Sequence, residues 1–132
     1  NRQTNIDGIF ACGNVLHVHD LVDFVSEEAE LTGKAAAEYI AGKFVKNKNI
    51  EVKNGDMISY IVPQKITDGN ANVKLFFRVK NVVRNCRLKV LADGKEIFAV
   101  KKSILTPGEM QTYTLRKETL QNVENTIELK VE

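Results

Sequence analysis

Val73-Lys74-Leu75-Phe76-Phe77-Arg78-Val79 alternates apolar and charged residues, with β-branched and aromatic side chains on one phase. That period of two is the signature of a half-buried strand, because successive side chains leave a strand on opposite faces. The same pattern lies on either side of it. It recurs in Met57-Ile58-Ser59-Tyr60-Ile61-Val62-Pro63, Cys86 to Leu91, Ile97 to Val100, Met110 to Leu115 and Ile127 to Val131. Between these runs stand residues that reverse a chain: Asp68-Gly69-Asn70, Arg84-Asn85, Asp93-Gly94 and Thr106-Pro107-Gly108-Glu109. Ala92-Asp93-Gly94-Lys95 is the clearest hairpin, since Asp-Gly readily takes the two positive-φ positions of a tight turn.

Six or so short strands with regular turn signals, and no helical segment between them, predict an antiparallel sandwich of immunoglobulin-like type over residues 48–132. It lacks a Cys-Trp-Cys pin. Alternation puts Ile58, Tyr60, Val62, Val73, Leu75, Phe77, Val79, Leu88, Val90, Ile127, Leu129 and Val131 inward. Lys74, Arg78, Lys89, Glu128 and Lys130 take the wet faces, and Phe76 is an aromatic on the outward phase. Arg78, Arg84 and Arg87 read as a solvated basic patch.

Upstream of the basic, Asn-rich connector that ends near residue 47, the period is helical. Ala29, Ala35, Ala36, Tyr39, Ile40 and Phe44 recur at helical spacing, Asp23 or Ser26 stands where a cap belongs, and Glu27 and Glu28 place negative charge on the first turn. Before that helix, Ile6 to Ala11 reads as a buried strand that ends in a tight turn at Gly13. The fold class is therefore α+β: a short strand-turn-helix over 1–47, then an all-β sandwich.

Thr4-x-x-x-Gly8-Ile9-Phe10-Ala11-x-Gly13 followed by an Ala/Gly-rich helix resembles the second flavin-binding motif of the FAD-dependent pyridine-nucleotide-disulfide oxidoreductases, the thioredoxin-reductase-like flavoproteins. The longer Val15 to Val22 connection is similar to that of flavoprotein subunits that accompany glycerol-3-phosphate-dehydrogenase-like proteins. The resemblance covers about a third of the chain. It implies that Gly13, Asn14 and the backbone near Val25 and Ser26 line one wall of an FAD site, and that electrons pass between FAD and a pyridine nucleotide or partner dehydrogenase subunit. Asn14 stands where the family has Asp; its amide still bonds a ribityl hydroxyl, without charge. The physical basis is general, because glycine allows close backbone approach and a helix start offers unpaired N–H groups.

No Gly-x-Gly-x-x-Gly run exists in the 132 residues, so the ADP half of FAD and a nicotinamide dinucleotide lack their usual seat. The chain is accordingly expected to be a C-terminal piece, with the upstream flavin and nicotinamide domains supplying every catalytic residue. Alone it is expected to be inactive and not to retain FAD. The competing reading is a non-catalytic β-sandwich binding module.

A net charge of +2 with scattered lysines excludes a nucleic-acid footprint, and no apolar run reaches membrane-spanning length. Two distant cysteines, Cys12 and Cys86, fit buried thiols in a reducing cytoplasm and make no redox dithiol. His17-x-His19 with Asp20 and Asp23 carries the ligand types for a divalent metal, but His-x-His on an extended segment is also an ordinary loop facing the flavin pocket, and without a wider ligand set no metal is assigned. Glu27, Glu28 and Glu30 read as a solvated helix start rather than a general-base cluster. Gly33 inside the helix calls for close packing to offset its low propensity. Phe10, Leu16, Leu21, Val22 and Phe24 present apolar surface, from which self-association is expected.

Overall fold

The computed structural model describes residues 1–132, which divide into two compact units, Asn1–Val45 and Lys46–Glu132. The break falls two residues before the boundary expected from the connector. Asn47 and Lys48 belong to the second unit because both of their N–H groups donate to the Thr67 carbonyl, at 3.0 and 3.1 Å. Lys48 also extends its ammonium to the Gln121 and Val123 carbonyls, both at 3.0 Å.

In the second unit eight strands make two sheets. In chain order they are β1 (Ile50–Asn54), β2 (Ile58–Val62), β3 (Lys65–Ile66), β4 (Val73–Val79), β5 (Val83–Ala92), β6 (Lys95–Leu105), β7 (Gln111–Leu115) and β8 (Thr126–Val131). One sheet runs β3-β1-β8-β5-β6 and the other β2-β4-β7. Side chains from both sheets form one core, including Ile50, Ile58, Ile61, Leu75, Phe77, Val90, Leu115, Ile127 and Leu129, each fully buried.

The architecture departs from a purely antiparallel sandwich in two ways. β1 pairs with β8 in parallel, Glu51 opposite Thr126 through Asn54 opposite Leu129. A short helix, α2 (Lys117–Gln121), interrupts the strands and buries Leu120. Alternation also fails locally. The pairing of β2 with β4 shifts between Ile58 and Tyr60, so Ile61 rather than Tyr60 reaches the core. Half-buried Tyr60 instead accepts a hydrogen bond from Arg78 Nε at 3.1 Å, and Arg78 also donates to the Pro107 carbonyl, so this arginine is no free surface charge. Arg84 and Arg87 lie on β5, in the other sheet. Phe76 is buried at 3% exposure despite its phase, opposite Val62 and with the Lys74 ammonium 5.3 Å from its ring centre.

The Asp93-Gly94 hairpin is present, with φ of 47° and 82°. Asp93 does more than turn the chain. Its carboxylate accepts the N–H groups of Glu124, Asn125 and Thr126 at 2.8 to 2.9 Å, which ties the hairpin to the start of β8. Arg84-Asn85, in contrast, is no turn. It lies inside β5, where Asn85 takes a φ of 49° without ending the strand.

The first unit is built on α1 (Val22–Ile40), which opens at Leu21 with no side-chain cap, so neither Asp23 nor Ser26 has that role. Ser26 Oγ donates back to the Val22 carbonyl at 3.3 Å. Ile6 to Ala11 is not a buried strand. A single antiparallel bridge, Gln3 to Phe10, spans a turn, and Ile6 and Ile9 are more than half exposed. Gly8 sits in that turn at φ 82°, where an added Cβ would lie 3.2 Å from the Tyr39 ring. Phe44 falls beyond the helix and packs edge-on with Tyr39 and Phe10, at centroid separations of 5.7 and 6.2 Å. No helix in the chain is long and apolar enough to cross a membrane.

Candidate functional site

The buried residues of α1 are Glu28, Thr32 and Ala35, one stripe at helical spacing that begins with a carboxylate. Glu28, read from sequence as a solvated helix-start acid, is 2% exposed, whereas Glu27 and Glu30 are exposed. The difference is one of phase: Glu28 is seven residues before Ala35 and shares its face, while its acidic neighbours are turned outward.

Burying a carboxylate is costly unless its oxygens are satisfied. Here each oxygen has two donors. Oε1 accepts from Arg2 Nε at 2.8 Å and His17 Nε2 at 3.3 Å. Oε2 accepts from the Gly13 N–H at 2.9 Å and His19 Nε2 at 3.1 Å. Burial pushes the Glu28 carboxyl up, but the Arg2 guanidinium, the Gly13 N–H and the His19 bond outweigh it and hold the group down at about 2. Burial also moves His17 below the usual imidazole range against the pull of Glu28, so its contact is a hydrogen bond from a neutral ring and not an ion pair. The His17 and His19 rings lie 4.1 Å apart, tilted by 58°. Arg2 takes part from a left-handed backbone, φ 62°, a conformation disfavoured for a residue with a side chain.

A carboxylate held this acidic is a poor proton acceptor near neutral pH, so Glu28 itself is not a general base. What remains is charge anchoring or ligation. His17, His19 and Glu28 are all buried and offer ligand atoms within 4.8 Å of one another. The sequence had offered Asp20 and Asp23 as companions to the histidines, but both are exposed. The carboxylate that joins them lies nine residues beyond His19, and the helical stripe was the signal that placed it inside. Arg2 carried no such signal, because its partner is 26 residues away.

The residues expected at a flavin wall are distributed as follows. Gly13 opens a single 3-10 turn, Gly13–Val15, at φ 68°, and directs its N–H inward to Glu28. Asn14 is exposed directly after it. Val25 is half-buried, with its Cγ1 3.7 Å from where a Gly13 Cβ would stand. Ser26 is exposed on α1. Because α1 starts at Val22, the N–H groups without an i−4 acceptor are those of Leu21 to Phe24, of which Phe24 donates to the Leu21 carbonyl at 3.2 Å, so those of Val25 and Ser26 are not among them. Cys12 is half-buried rather than buried, Cys86 is buried, and both are free thiols. Gly33 meets nothing within 4 Å of a built Cβ, so no close packing explains it.

No protein-family model, curated protein or solved structure matches the chain.

Proposed function

We propose that the first unit forms one wall of the FAD site of a flavoprotein oxidoreductase, a pyridine-nucleotide-disulfide oxidoreductase type of enzyme, with the second unit an immunoglobulin-like docking module. Electrons move between FAD and a pyridine nucleotide or a partner dehydrogenase subunit, through residues this chain does not contain. The observation that supports this reading is the Gly13-Asn14 turn. Gly13 is left-handed and its N–H is fastened to a buried carboxylate, so the turn is held in place while the Asn14 amide faces outward. Exposed apolar residues flank it in sequence: Ile6, Ile9, Val15, Val18, Leu21 and Val22. A ligand ring or an adjoining domain covers such surface in an assembled flavoprotein, and without one the same surface promotes self-association.

The test is FAD retention by the full-length protein that carries this segment. Asn14→Ala removes one ribityl hydrogen bond and weakens FAD binding by about 0.5–1.5 kcal/mol, with the second unit still folded. No flavin absorbance on reconstitution with FAD would favour a non-catalytic binding module instead.

A further inference from the structure

We propose that His17, His19 and Glu28 are the protein ligands of a divalent transition-metal site, with zinc the ion their chemistry fits best. The inference does not depend on the flavin reading. It begins with geometry: the Nε2 atoms stand 3.3 Å (His17) and 3.1 Å (His19) from the Glu28 carboxylate oxygens. Ligands bonded at about 2.0–2.1 Å to a tetrahedral ion are separated by about 3.3 Å, so each histidine already has that spacing to one carboxylate oxygen, and the three donors as a set lie within 4.8 Å of one another. Two imidazoles and one carboxylate suit zinc and its neighbours rather than calcium or magnesium, which take oxygen. Three protein ligands leave a fourth position open, the arrangement of a reactive zinc site rather than a closed structural one.

The surroundings are those of a supported ligand set. Arg2 and the Gly13 N–H orient the carboxylate, as outer-shell partners do in metal sites. In the metal-free arrangement Nε2 of His17 and Nε2 of His19 each lie at hydrogen-bond distance from Glu28; on binding, the proton on each Nε2 moves to that ring's Nδ1 and the freed lone pair takes the ion, so each ring keeps one N–H. Glu28 offsets one of the ion's two charges and is itself shared with Arg2, so the fourth position takes water, hydroxide or chloride. If hydroxide, its formation from water releases one proton to solvent.

The chain has only two histidines, so histidine-dependent binding reports on this site alone. The test uses the full chain stripped with a chelator, titrated with Zn(II) by calorimetry and with Co(II) by visible absorption. Expected are one equivalent bound, the intense absorption of four-coordinate Co(II), and weakening by at least about 100-fold in His19→Gln or His17→Gln. Imidazole nitrogen resonances of the unmutated chain, followed during Zn(II) addition, decide the matter if a histidine variant fails to fold. Absence of a Co(II) band, unmoved imidazole signals, or equal binding in folded histidine variants would overturn the proposal.

Discussion

Arg2 Nε lies 2.8 Å from Glu28 Oε1, and the two side chains are 4% and 1% exposed. One ion pair thus fastens the start of the chain to the middle of α1, out of water. Removing one partner of such a pair leaves a buried charge without compensation. Arg2→Met is therefore expected to destabilise the first unit by about 3–5 kcal/mol, while Arg2→Met with Glu28→Gln recovers much of that loss. Hydrogen exchange of the α1 amides in metal-free protein measures both. Additive effects of the two substitutions would show that the pair is not coupled.

Acid is expected to loosen the same unit in two stages. Both Glu28 and His17 titrate below their ordinary values of 4.5 and 6.5, so the unfolded segment binds more protons than the folded one as pH falls. Their contributions are complete above pH 6.5. The share of His17 fades first below that point, and the share of Glu28 is lost between 4.5 and about 2. Protection of the α1 amides, measured with chelator present, should decline in that order; protection constant from pH 7 to pH 3 would contradict the argument.

Gly33→Ala is expected to stabilise the chain by about 1 kcal/mol, because a helical glycine with open space around its Cβ has only propensity to gain. Chemical denaturation followed at the helix signal measures it. The same substitution also probes the flavin reading: lost FAD retention in the full-length protein would mean that another domain packs closely on this face.

Gly55→Ala is expected to act in the opposite direction. A Cβ there would stand 2.8 Å from the Leu129 carbonyl oxygen and 2.7 Å from Lys130 Cβ, and the Gly55 N–H already donates to that carbonyl at 2.8 Å. Moving β8 to make room costs about 1–3 kcal/mol, which a shift in the denaturation midpoint of the second unit would show. An unchanged midpoint would mean that the β1–β2 turn relaxes freely.

The strands were legible where one force decides. Leu75, Phe77 and Val79 alternate because their face of β4 packs into the core, and Asp93-Gly94 turns because both residues tolerate positive φ. Tyr60, expected inward, gives way to Ile61 because a register shift is set by the partner strand and not by the local pattern. The parallel pairing of β1 with β8 had no local sign, since it joins segments more than seventy residues apart. At the site the histidines were visible as residue types. Glu28 was obscured by its acidic neighbours, which make a helix start look solvated, although its spacing to Ala35 carried the information. Arg2 was not legible, because ion pairing across 26 residues depends on how the intervening turn folds.

The parallel β1–β8 pair also governs how the second unit carries a load. Since both strands run the same way, β1 begins at one end of the sheet and β8 finishes at the other, so chain entering at Ile50 and leaving at Val131 does so at opposite poles. A pull along that line slides β1 against β8, and the bonds from Glu51 to Asn54 are strained together. An antiparallel pair joined at one end would instead open one bond at a time.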